Sequence, residues 1–110
     1  MTNKNEKIQE MQILEQNLQN LLLQKQAFQM ELSETESALK EIEKSSDEVF
    51  KIIGQLMIKT GKPKIKEELS NKKKILELRI KTMEKQEVNL MKQLDVLRDK
   101  IIGKEKKSTK

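Results

Sequence analysis

The stretch Val49-Phe50-Lys51-Ile52-Ile53-Gly54-Gln55-Leu56-Met57-Ile58-Lys59 decides the fold of this 110-residue chain. Val49, Phe50, Ile52, Ile53 and Ile58 favour extended backbone, because branched and aromatic side chains pack well on a pleated surface. Gly54-Gln55 fits a two-residue type II′ turn, whose first position needs the positive φ that glycine adopts freely. The pattern predicts a β-hairpin over about residues 49–60. Neither strand alternates cleanly, so Val49, Phe50, Ile52, Ile53, Leu56, Met57 and Ile58 place apolar groups on both faces. An isolated hairpin is marginal in water. Its faces need cover that a single short chain cannot supply, and the expectation is an obligate oligomer joined through the hairpins.

Outward from the hairpin, the flanks carry two heptad seams. The first reads Met11, Leu14, Leu18, Leu21, Lys25, Phe28, Leu32, Thr35, Leu39, Ile42; the second reads Leu69, Lys73, Leu76, Ile80, Met83, Glu87, Leu90, Leu94, Leu97, Ile101. Sustained steps of three and four mark a coiled coil. Helix one is expected over about residues 5–44, rich in Gln, Glu, Leu and Lys and free of Gly and Pro, stopping near Ser45-Ser46-Asp47. Helix two is expected over about 63–102, with Pro63 in its first turn and Gly103 just past its end. Some forty helical residues span on the order of 60 Å, too long for the core of so small a domain, so the helices project. The predicted fold class is mainly α: one long antiparallel coiled-coil hairpin with a short β-hairpin between its helices, all one domain spanning residues 1–110.

Folding the chain back on itself tests the two seams against each other. Ile42 faces Leu69, Leu39 faces Lys73, and so on to Met11 opposite Ile101. The index sums alternate between 111 and 112 without a slip. This register sets Lys25 opposite Glu87, two charges that would each destabilise a seam alone. Paired, they can specify register, the better-attested use of a polar seam position. The alternative is that both snorkel to water. Thr35 and Lys73 are the other polar seam residues; Lys73 reads as a tolerated edge position.

Composition excludes much else. Charged residues make up 37% and aromatics 2%, too little apolar volume for an ordinary globular core. There is no Cys and no His, which removes thiolate metal sites and the commonest general base and metal ligand. No phosphate-cradling glycine loop is present, and carboxylates such as Glu31, Glu34 and Glu36 read as solvated helix faces. No enzyme, metal or cofactor is expected. No signal-peptide pattern or membrane-length apolar run occurs, so a soluble cytoplasmic protein is the default. Residues 1–44 carry net charge −3 and residues 62–110 carry +8, which favours pairing of the two helices. The tail 103–110 is basic and expected to be disordered. Nucleic acid is a weak candidate partner, because no aromatics interleave the basic residues for stacking on bases.

The hairpin segment resembles the V-Y/F-K-x-x-G-x-x-L-V-K hairpin of prefoldin subunits of the β class. Gln24-Lys25-Gln26 and Glu84-Lys85-Gln86-Glu87 are similar to patterns flanking it in that family. The likeness covers about residues 7–102 and is nearest to the archaeal-type β subunit. Phe50 stands where many members have Tyr. The resemblance implies a hexamer of two longer α-class and four β-class subunits, with hairpins forming a double β-barrel from which six coiled coils hang. It implies an ATP-independent holdase that captures unfolded proteins at the coil tips and delivers them to a group II chaperonin.

The tip at which the termini meet is apolar beyond what its seam needs. Ile8, Met11, Ile13, Leu14, Val96, Leu97, Ile101 and Ile102 lie there, and Ile13, Val96 and Ile102 are off the seam. They are the candidate client-binding residues; the bland alternative is that they simply pack the coil end. A different function class remains open: a structural scaffold or tether that oligomerises through its hairpin without binding clients. A nucleic-acid-binding arm using the basic second helix ranks behind both.

Overall fold

The computed structural model describes residues 4–45 and 48–103. The element order is α1 (Lys4–Lys44), β1 (Glu48–Ile53), β2 (Leu56–Gly61) and α2 (Lys62–Ile102). Two long helices with one antiparallel β-hairpin between them form the fold expected from the seams and the strand segment. Ser46 and Asp47, part of the expected helix stop, lie outside the described residues, as does the expected tail from Lys104 onward. The described residues up to Gln26 and from Lys81 onward form one compact unit, and Ala27–Ile80 form the other.

In the unit Ala27–Ile80, the chain leaves α1 through a short cap. Ser45 donates both its backbone N–H (3.1 Å) and its hydroxyl (2.9 Å) to the Ile42 carbonyl. Lys62 Nζ donates to the carbonyls of Ser45 (3.2 Å) and Glu43 (3.4 Å). These donors occupy carbonyls that the end of a helix leaves without intrahelical partners. The hairpin register pairs Val49 with Thr60, Phe50 with Lys59, Lys51 with Ile58, Ile52 with Met57 and Ile53 with Leu56. Gly54 opens the turn at φ +60°, and among the described residues no other residue type has positive φ. Gln55 therefore has negative φ, which excludes a type I′ turn and agrees with type II′.

The seam of this unit centres on Leu76, Ile80 and Thr35, all buried, with Phe28, Leu32, Leu39, Ile42 and Leu69 half-buried. Thr35 tolerates burial because its hydroxyl donates to the Glu31 carbonyl one turn back, at 2.8 Å. Arg79 lies over the Phe28 ring, 5.7 Å from its centroid. In the other unit, Leu21, Leu94 and Leu97 are buried and Met11, Leu14, Leu18, Met83, Leu90 and Ile101 half-buried. Gly103, at φ +67°, follows the last residue of α2 in the left-handed conformation common after helices.

Candidate functional site

Two surfaces carry the chemistry that the seams leave unused. The first is the hairpin. Alternation along the strands puts Phe50, Ile52, Met57 and Lys59 on one face and Val49, Lys51, Ile53, Leu56, Ile58 and Thr60 on the other. On the first face Phe50, Ile52 and Met57 are 57%, 69% and 66% exposed. On the second, Val49, Lys51 and Thr60 are half-buried, while Ile53 and Leu56 near the turn remain open. Apolar groups thus face water on both sides, as the unalternating strands imply.

One ion pair ties this hairpin to α2, and three others join the two helices beside it. Lys51 on β1 donates to Glu68 on α2 at 2.8 Å. Lys66 pairs with Glu43 at 2.5 Å, Lys72 with Glu31 at 3.2 Å and Lys73 with Glu36 at 3.7 Å. Hydrogen bonds from Lys66 and Lys51 hold the carboxyls of Glu43 and Glu68 below the usual range, with burial opposing in both. Lys73, read from sequence as an edge position, is accommodated by its Glu36 partner. Glu31 and Glu36 are likewise engaged in inter-helix pairs.

The second surface lies in the unit that holds the ends of both helices. Lys25 Nζ donates to Glu87 Oε1 at 2.7 Å, with both side chains largely withdrawn from water. The hydrogen bond to Glu87 raises the Lys25 pKa above the ordinary lysine value; burial opposes it, and the charges of Glu87 and Glu84 add to it. The two seam charges do meet, and neither snorkels away from the other.

The eight apolar residues singled out at this end divide by environment. Ile8, Met11 and Ile101 are half-buried in or beside the seam. Leu14, Val96 and Leu97 line one groove, in which Leu97 is buried and Val96 is 55% exposed. Ile13 and Ile102 are exposed but lie outside that groove. The groove also contains residues not singled out from the sequence. Lys7, Lys92 and Lys100 line it, together with Glu10 and Gln93. Lys7 continues the Met11–Leu14 spacing one step toward the N-terminus, a signal that a lysine obscures.

Among the described residues no cluster of His, Cys, Asp or Glu is placed to hold a metal ion. No described helix is long and apolar enough to cross a membrane.

Comparison with known proteins agrees with this architecture. The prefoldin subunit family model matches residues 5–108. A prefoldin subunit beta from Pyrobaculum arsenaticum is 42% identical over 86 residues, 76% of this chain and 69% of its own. One from Thermococcus onnurineus is 43% identical over 89 residues, 79% of this chain and 77% of its own. The crystal structure of the prefoldin beta subunit from Thermococcus strain KS-1 superposes with a TM-score of 0.82 at 36% identity, covering 92% of this chain and 94% of that one. The apolar hairpin, the paired seams and these likenesses together place the chain in the prefoldin family of chaperones, among its β-class subunits.

Proposed function

We propose that this chain is one subunit of an ATP-independent holdase. Its hairpin assembles with those of other β-class chains and of a longer α-class subunit, four β with two α, closing the exposed strand faces into a barrel. Clients are unfolded proteins, which pass from here to a group II chaperonin in the cytoplasm. Apolar residues at the end of the coil where the termini meet make the client contact: Ile13, Leu14, Val96, Leu97 and Ile102, with Ile8, Met11 and Ile101 behind them.

The observation that carries this reading is the exposure of Ile13, Val96 and Ile102 beside a seam already closed by Leu94 and Leu97. Burying such groups against a client yields about 25 cal/mol per Å², so one coil end holds weakly and several act together by avidity. The test is suppression of aggregation of an unrelated unfolded protein, without ATP, by the chain assembled with an α-class partner. Removal of residues 1–12 and 98–110, which takes away Ile102 and the supporting Ile8, Met11 and Ile101, should leave assembly intact and weaken protection. Full protection by an assembled truncated complex would defeat the proposal.

The scaffold reading has one observation of its own. The open faces of the hairpin account for oligomerisation whether or not clients bind. An assembled complex that never suppresses aggregation would favour it.

A further inference from the structure

Lys25, Lys66, Lys72 and Lys73 each pair with a glutamate of the facing helix, and Lys51 of β1 pairs with Glu68. The groove over Leu14, Val96 and Leu97 gathers three other lysines. Lys7, Lys92 and Lys100 line it, and none of them forms a salt bridge among the described residues. Its single acidic liner is Glu10. Of the nearby acids on α2, Asp95 is held by Arg98 at 3.0 Å, and Asp99 does not line the groove. The groove therefore has an apolar floor and a rim of net positive charge, in a volume of about 410 Å³, near the small end of ligand sites. That space suits one or two side chains of an extended segment.

We propose that this groove selects, among unfolded segments, those in which an apolar side chain is flanked by Asp or Glu. The inference rests on the client-binding reading above and sharpens it into a charge preference. An apolar side chain of the segment covers Val96 and the edge of Leu97. Its flanking carboxylates meet Lys7, Lys92 and Lys100, whose long stems extend the apolar wall. Desolvation is shared, because the rim lysines remain partly in water. Segments bearing Lys or Arg at the same places meet like charge and are disfavoured. Each exposed pair is weak and screened by salt, so the preference is a bias of about three- to tenfold at low ionic strength and not an absolute filter.

Four short labelled peptides test this on the full assembled complex: Leu flanked by Glu, Leu flanked by Lys, and the same two with Ser replacing Leu. Binding is read by fluorescence anisotropy at low and high salt. The Glu–Leu peptide should bind about three- to tenfold more tightly than the Lys–Leu peptide at low salt, with the gap closing as salt rises. The combined variant Lys7→Gln, Lys92→Gln and Lys100→Gln should erase the gap while keeping assembly. Equal binding of Glu–Leu and Lys–Leu overturns the charge preference yet leaves the client-binding reading standing. A gap that persists in the Gln variant moves the preference elsewhere and overturns the assignment to this groove. If Glu–Ser binds as well as Glu–Leu, or a single-stranded oligonucleotide displaces both alike, the site is a generic polyanion surface and the proposal fails. Failure of both Leu peptides to bind at all sinks the client-binding reading with it.

Discussion

Leu76→Ala and Leu78→Ala, compared side by side, test whether the seam is the stabilising element of this chain. The two leucines lie two positions apart in α2, so helix propensity, distance from the helix ends and the atoms removed are shared. Leu76 is 4% exposed and Leu78 is 65% exposed. Truncation removes three carbons, each worth about 0.8 kcal/mol when withdrawn from water, which gives about 2.4 kcal/mol at Leu76. A residual cavity adds to that loss. A seam between two helices has solvent on both flanks and collapses more readily than a deep core, so the total belongs in the lower half of the Leu→Ala range, about 2.5–3.5 kcal/mol. At Leu78 only about a third of the transfer term applies, about 0.8 kcal/mol, and the stronger helix preference of Ala returns a few tenths. A loss of about 0.5 kcal/mol remains, leaving a gap of about 2–3 kcal/mol between the variants. Urea unfolding followed by far-UV circular dichroism measures it, at one fixed protein concentration because association couples to stability. Equal losses at the two positions would refute the reasoning, since they would mean that Leu78 is covered as fully as Leu76.

Three further expectations follow from single contacts. Gly54→Ala forces a side chain onto φ +60° where nothing lies within 4 Å of the new Cβ; strain alone should cost about 1–2 kcal/mol, whereas Gly61→Ala, in ordinary contact with Pro63 and without positive φ, should stay within about 0.5 kcal/mol in the same unfolding assay. Lys25→Ala and Glu87→Ala should each lower the urea midpoint, and the double variant should lower it by less than their sum; strict additivity would remove the pair's role in setting register. Glu43 and Glu68 have folded pKa values depressed by their lysine partners, so their contribution is present above the unfolded carboxylate value, about 4.3, and is lost as pH falls through the lower folded values. The urea midpoint of the wild type should therefore drop in that acid window, and Glu68→Gln should flatten the drop; an unchanged acid profile in the variant would show that the Lys51–Glu68 contact carries none of it.

Much of this architecture is periodic, and periodicity is local information. All twenty seam positions read from the 3-4 spacing are buried or half-buried, while off-seam apolar residues such as Ile13, Leu23, Met30, Leu78 and Val96 are exposed. A helix repeats every 3.6 residues whatever surrounds it, so its buried stripe is legible one residue at a time. The turn was equally legible, because only glycine takes the φ of Gly54 at no steric cost. Even the meeting of Lys25 with Glu87 came from counting, since an antiparallel register is a constant index sum.

Which face of the hairpin is covered was not legible. Strand alternation here is broken by apolar residues at both phases, so no phase marks the inner face, and only the fold half-buries Val49, Lys51 and Thr60 while leaving Phe50, Ile52 and Met57 open. The partners of the remaining lysines escaped for a different reason. A lysine side chain reaches several carboxylates on a charge-dense helix, and whether it finds one depends on separations through space. Lys51 reaches Glu68 across seventeen residues of chain, while Lys7, Lys92 and Lys100 form no salt bridge among the described residues. Heptad spacing alone determined where this protein is apolar and closed; the fold decided where its charges are satisfied and where they remain open for a partner.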